Sequence, residues 1–188
     1  TTPPAGRPTK PFTIGLVGAS NIAMTKMLPA FDAVGIQING LHDSEPRRFR
    51  YWTDSPVGQH TTELDQLLSA DIDAVYILTP NAAHAEHAIL AAEHGKQVIA
   101  DKPMALTLDD CDAMIRAADR NGVRLLIGHS QSLDSGILKM VEIVRSGVLG
   151  RPVMVASSYY NEWLYRPRSR DELDPSTLYT HRYTLNDL

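Results

Sequence analysis

The segment GLVGASNIA sets Gly18, Ser20 and Ala23 on the G-x-G-x-x-G spacing, at a point where an apolar run gives way to a helix-like stretch. In that pattern the first glycine makes a tight turn and the second lets backbone approach a pyrophosphate. The third lets the helix pack on the strand. Ala23 is an accepted third residue, whereas Ser20 departs from the second. Its N–H and hydroxyl can still meet a phosphate, as can the N–H groups of Asn21 and Ile22 that follow. Serine does not, however, accept every glycine backbone conformation. An ordinary strand-to-helix turn would read the same way. Asp43 shifts the balance, because it closes the next apolar run 25 positions after Gly18. A carboxylate there accepts both hydroxyls of an adenosine ribose and repels a 2′-phosphate, which favours NAD over NADP. Arg47 and Arg48 could hold a 2′-phosphate instead, so NADP stays open, and a solvated aspartate at a strand end is the plain alternative.

Two further polar clusters follow later apolar runs: Thr79-Pro80-Asn81 with His84, and Asp101-Lys102-Pro103. Ligands of open parallel sheets bind at the C-terminal ends of strands, where both clusters fall. Taken alone, Lys102 reads as a surface lysine beside a turn proline, and the Lys102–Pro103 bond is a candidate for cis geometry. His129 follows the last such run and can line the same crevice, or simply be structural. His84 and His87 form an i, i+3 pair that invites a metal. No third ligand follows at a suitable spacing, so none is expected.

These residues need a scaffold, and the pattern supplies one. Strands are predicted at Phe12–Gly18, Ile36–Asp43, Asp73–Thr79, Lys96–Asp101 and Val123–Ser130. Helices are predicted at Asn21–Val34, from Pro46, over Thr62–Ser69, at His84–Gly95 and at Thr107–Asn121. Thr107 and Gly122 cap the last of these. Such β-α alternation with short links argues for an α/β fold, a Rossmann-type doubly wound parallel sheet over residues 12–130. Residues 1–11, proline-rich and polar, read as a mobile leader. Residues 131–188 read as an incomplete α+β, mixed-sheet C-terminal domain, with a helix at Asp134–Arg145 and a strand at Val153–Tyr160.

TPN-x-x-H, then GKQVIADKPMALTLDD, then a strand ending GHSQSLD, together resemble the Gfo/Idh/MocA oxidoreductases, from about residue 12 to residue 175. The resemblance implies hydride transfer between a nicotinamide and a cyclic alcohol. Lys102 matches the family lysine directed at the substrate hydroxyl and the cofactor, where an ammonium polarises oxygen and stabilises alkoxide charge. Asp101 replaces the more usual glutamate and shortens its reach. The stretch NEWLYRPRSRDELDP is similar to dihydrodiol dehydrogenases of aromatic degradation. That likeness implies a carboxylated cyclic diol, with Arg166 and Arg168 as guanidinium forks for carboxylates and Trp163 as a wall beside the ring. A solvated arginine-rich loop is the plain alternative.

The family carries a later glycine-rich stretch and a helix bearing an aspartate and a histidine for proton transfer. Here the chain reads LYTHRYTLNDL and stops, and His181 lacks that spacing. A truncated or impaired dehydrogenase is therefore expected. The alternative is a nucleotide-binding module that performs no chemistry and acts through a partner. An unpaired strand edge after residue 150 would favour self-association, so a homo-oligomer through the C-terminal sheet is possible.

Composition excludes other classes. The formal net charge of −4 over 188 residues gives no basic field for nucleic acid or an anionic membrane. No apolar run approaches the roughly 20 residues of a bilayer span. Cys111 is the single cysteine, which fits a reducing, cytoplasmic setting.

Overall fold

The computed structural model describes residues 11–53 and 55–156. Strand β1 (Thr13–Val17) is apolar and buried along its whole length, as a central parallel strand should be. It leads into a π-helical turn, Ala23–Met27, that runs on as α1 (Leu28–Ala33). Pro29 explains the widened turn. It has no N–H for the preceding turn, and its ring crowds the carbonyl four residues back. Leu28 N–H instead reaches back five residues to Ala23 O. The helix predicted over Asn21–Val34 is present but wound in two ways.

Next come β2 (Gln37–His42), a 3₁₀ turn at Pro46–Tyr51 and a short β3 (Gln59–Thr61). Helix α2 (Leu64–Leu68) and β4 (Ala74–Ile77) precede a 3₁₀ turn at Asn81–Ala83, which runs into α3 (His84–Glu93). Then follow β5 (Gln97–Asp101), α4 (Leu108–Asn121) and β6 (Leu125–Gly128). Thr107 Oγ1 accepts from Asp110 N–H to cap α4, and Gly122 ends it with φ +65°, a left-handed value suited to glycine.

The sheet is wholly parallel in the order β3-β2-β1-β4-β5-β6. Strand order reverses between β1 and β4, and the C-terminal ends of these strands open the crevice where such sheets take ligands. Each face has its own core. Val17, Val75, Ile77, Val98 and Ala100 pack under α2, α3 and α4. Ile14, Leu16, Leu41 and Tyr76 pack on the other face with Ala23 and Trp52. Trp52, 1 % exposed, anchors the Pro46–Tyr51 turn to that second face.

The strand β3 has no counterpart in the prediction. Its three residues, Gln-His-Thr, carry no apolar alternation, and pairing with β2 alone makes them extended.

The described residues divide into two compact units, one ending at Gly128 and one beginning at His129. The second contains a 3₁₀ turn at Ser130–Leu133 and α5 (Ser135–Arg145), capped by the Asp134 carboxylate on Gly136 N–H at 2.9 Å. The strand predicted at Val153–Tyr160 requires correction. Residues 153–156 form no strand, because no described strand lies beside them to complete a ladder; residues 157–160 lie outside the described part.

Candidate functional site

Gly18 is the pivot of the crevice. Its φ of +106° suits glycine alone, and a Cβ there would sit 2.8 Å from both the carbonyl carbon and oxygen of Leu78. The turn is thus pressed against the backbone that leads into Thr79. Gly18 N–H donates to His42 O at 2.8 Å, tying the end of β1 to the end of β2.

Ser20 takes a role that glycine could not. Its hydroxyl accepts from Ala23 N–H at 3.2 Å and so caps the helix. Among the described residues no non-glycine residue has a positive φ, so the conformational objection to serine does not arise at Ser20. Ala23 is wholly buried, which gives helix and strand their close approach. Asn21 and Ile22 are exposed at the start of the helix. Among the described residues the N–H groups of Ser20, Asn21 and Ile22 meet no acceptor, leaving three neighbouring donors as an anion site requires.

Asp43 follows β2 and is 9 % exposed. Oδ2 accepts from Ala19 N–H at 2.9 Å, and Oδ1 accepts from Glu45 N–H at 2.9 Å. Each oxygen retains acceptor capacity. Asp43 N–H in turn donates to Thr61 O on the overlooked β3. Arg47 Nε donates to Glu45 Oε2 at 2.7 Å, and Arg48 Nε lies 3.5 Å from the same oxygen and 3.7 Å from Asp43 Oδ1. The hydrogen bond from Arg47 holds the Glu45 carboxyl below its usual range. Both arginines that could take a 2′-phosphate are therefore engaged with carboxylates.

Thr79 is gripped twice from α3. His84 Nε2 lies 3.0 Å from Thr79 O, and His87 Nδ1 lies 3.1 Å from Thr79 Oγ1. His84 Nδ1 lies 2.8 Å from Pro103 O, and the ring is 1 % exposed. Both nitrogens face protein carbonyls, which corrects the expectation that His84 meets the cofactor directly: no ring edge is left for a ligand. Pro80 is exposed and Asn81 half-buried on the 3₁₀ turn that Ala83 N–H closes on Pro80 O. The His42 ring lies edge-on to His87 with centroids 6.3 Å apart, and burial lowers the pKa of both below the ordinary histidine value. His42 Nε2 meets Thr62 O, while its Nδ1 is buried without a partner among the described residues.

Asp101 ends β5 beside Gly128 of β6. The Lys102–Pro103 bond is cis. Lys102 is half-buried, and among the described residues its ammonium makes no hydrogen bond or ion pair. Below this turn, burial and then the Asp101 charge push the Tyr76 phenol up to about 12. His129 opens the second unit, where its carbonyl accepts from Ser132 N–H and hydroxyl. Trp163, Arg166 and Arg168 lie outside the described residues.

The first unit thus brings together the Gly18 turn, Asp43, Thr79 and the Asp101–Pro103 segment. Sequence reasoning missed Ala19, His42 and β3. Only the parity of β2 gave a signal, since a residue beside Asp43 must face the opposite side of the sheet. Among the described residues no group of three or more His, Cys, Asp or Glu is placed to hold a metal, and no helix is long and apolar enough to cross a membrane.

Comparison with known proteins agrees with this geometry. A family model for the Gfo/Idh/MocA oxidoreductases, with an NAD-binding Rossmann fold, matches residues 12–129. The chain is 38% identical over 164 residues to 1-carboxy-3-chloro-3,4-dihydroxycyclohexa-1,5-diene dehydrogenase of Comamonas testosteroni, covering 86% of this chain and 41% of that protein. Among solved structures it resembles the WlbA dehydrogenase of Bordetella pertussis in complex with NADH and UDP-GlcNAcA (TM-score 0.71, 25% identity, 76% of this chain and 44% of that one). It also resembles KijD10, a 3-ketoreductase of Actinomadura kijaniata in complex with TDP-benzene and NADP (TM-score 0.68, 25% identity, 74% of this chain and 45% of that one). The chain spans less than half the length of these relatives. With a parallel six-stranded sheet, a glycine turn at the β1–β4 switch point and a family match over most of that unit, the chain belongs to the Gfo/Idh/MocA oxidoreductase family.

Proposed function

We propose that this chain is the nucleotide-binding half of an NAD-dependent dehydrogenase acting on a cyclic alcohol or cis-dihydrodiol. The observation that carries the reading is the Asp43 carboxylate, anchored on Ala19 N–H beside the Gly18 turn with acceptor capacity to spare. The N–H groups of Ser20, Asn21 and Ile22, without acceptors among the described residues, fit a pyrophosphate, and Asp43 fits the adenosine ribose hydroxyls. The engagement of Arg47 and Arg48 with Glu45 supports NAD over NADP. Thr79, Pro80 and Asn81 at the end of β4, and Asp101 and Lys102 at the end of β5, suit the rest of the cofactor's path.

When bound, a nicotinamide supplies or accepts the hydride. Lys102 polarises the substrate oxygen and stabilises alkoxide charge there, which an ammonium without a partner among the described residues can do. The relative from Comamonas testosteroni is a dehydrogenase of a carboxylated dihydroxycyclohexadiene. Arg166 and Arg168 suit such a carboxylate as bidentate forks, and Trp163 suits the ring. Self-association through the C-terminal part, and a cytoplasmic location, belong to the same reading.

The test is direct. NADH and NADPH are titrated into the full chain by fluorescence, and NAD is then supplied with a carboxylated cis-dihydrodiol while absorbance at the NADH band is followed. NADH should bind about tenfold or more tightly than NADPH, since Asp43 repels a 2′-phosphate. Tighter NADPH binding would overturn the cofactor assignment, and binding of neither would overturn the whole reading. NADH binding without turnover would favour a nucleotide-binding module that performs no chemistry.

A further inference from the structure

His84 is among the largest fully buried side chains of the protein, yet it is not an apolar filler. Its Nδ1 lies 2.8 Å from Pro103 O and its Nε2 3.0 Å from Thr79 O. Both partners are carbonyl oxygens, which only accept. A neutral imidazole supplies one N–H and leaves the other contact without its hydrogen, whereas a doubly protonated ring supplies both. Either way the ring spans the two loops that follow the neighbouring strands β4 and β5 and ties one to the other. Helix α3 begins at His84, so the ring is held by an element packed across β4 and β5.

The consequence falls on Lys102. Its own ammonium has no partner among the described residues, so its position depends on the backbone to either side. On one side Asp101 is fixed by pairing with Gly128 in the sheet. On the other, Pro103 is held through its carbonyl by His84. The same ring holds Thr79 O, and His87 holds Thr79 Oγ1, so the β4 loop and the lysine turn are referenced to one helix.

We infer that His84 is a positioning residue for Lys102: its buried ring clamps the Thr79 loop to the Lys102–Pro103 turn and so sets the lysine over the nicotinamide end of the cofactor. The inference rests on the cofactor reading given above and adds to it a residue that touches neither cofactor nor substrate.

A double-mutant cycle on the full chain tests it. NADH and ADP-ribose, which lacks the nicotinamide, are titrated into wild type, His84→Phe, Lys102→Ala and the double variant. Phenylalanine keeps the ring volume and removes both nitrogens. His84→Gln, which retains one amide donor, serves where His84→Phe does not fold. His84→Phe should weaken NADH about tenfold and leave ADP-ribose within about twofold, and it should add nothing in the Lys102→Ala background. His84→Gln should fall between wild type and His84→Phe. Equal loss for both ligands would mark a merely structural role and overturn the proposal. So would unchanged NADH affinity, or a loss that persists undiminished without Lys102. Failure of wild type to bind either ligand would instead overturn the cofactor reading, and the proposal with it.

Discussion

The Asp43 carboxylate accepts the backbone N–H of Ala19 at 2.9 Å across a sequence separation of 24 residues. This bond joins the loop after β2 to the middle of the phosphate turn. Asp43 is thus both the residue suited to the ribose and the strut that shapes the turn beside it. The two roles use different lone pairs of one carboxylate.

Asp43→Ala removes the acceptor for the buried Ala19 N–H and for Glu45 N–H. The loss should destabilise the fold by about 1–3 kcal/mol and abolish measurable NADH binding. Asp43→Asn keeps one carbonyl oxygen and can serve one of the two donors. It should retain most of the stability while losing the discrimination against NADPH. Urea denaturation combined with NADH and NADPH titration separates the two effects; an Asp43→Ala variant with wild-type stability would contradict the strut.

At Gly18 the backbone argument is stronger than the ligand argument. A Cβ would lie 2.8 Å from the Leu78 carbonyl group, backbone that cannot swing aside, and the φ of +106° disfavours any L side chain. Gly18→Ala should cost on the order of 3 kcal/mol or more and loosen the start of the Thr79 loop. The denaturation midpoint of the purified variant is the measurement. A shift within experimental error would mean that the turn relaxes freely.

Much of this site was legible in the sequence because the relevant physics is local. The buried strands announce themselves as apolar runs, and the caps at Thr107 and Gly122 follow from residue type at helix ends. Gly18 and Asp43 declare themselves by spacing. Other features depend on partners distant in the chain. Nothing in Gln59–Thr61 predicts a strand until β2 lies beside it. Ser20 looked like a defect in a glycine pattern because the pattern records what is usual; its hydroxyl, placed on Ala23 N–H, gives the turn a cap. His84 sits on a motif that points to a ligand, but burial turns its ring toward two carbonyls. Motifs mark where a residue matters, and only packing shows what it touches.

Gly128 and Tyr76 form a second close approach. A Cβ at Gly128 would lie 3.1 Å from the Tyr76 phenol oxygen and 3.5 Å from both Ala100 O and Asp101 Oδ1. Gly128→Ala must therefore displace the phenol beside Asp101, and about 1–3 kcal/mol of destabilisation is expected. Tyr76→Phe removes the oxygen that the new methyl meets. The double variant should recover most of the loss, which a chemical-denaturation cycle would read as favourable coupling. Strict additivity would show that the methyl is accommodated elsewhere.

The histidine pair behind the turn predicts how stability depends on pH. His42 and His87 are both held below the ordinary histidine value of about 6.5, chiefly by burial. For His42, the Thr62 carbonyl and the charges of Asp43 and Glu63 oppose that shift without reversing it. For His87, the neighbouring His42 adds to it. In the native state these rings therefore bind fewer protons than in the unfolded chain over a window that opens near 6.5 and extends down to their lowered values. Stability must fall as pH falls through that window, and above it, where both states carry neutral rings, the pair contributes no pH dependence. His42 also accepts Gly18 N–H through its own backbone carbonyl, so the buried ring sits on the strand end that holds the phosphate turn. The melting temperature should thus decline on acidification from pH 7.5 to pH 5, and a His42→Asn, His87→Gln double variant should decline less. An equally steep decline in the variant would assign the acid sensitivity to carboxylates instead.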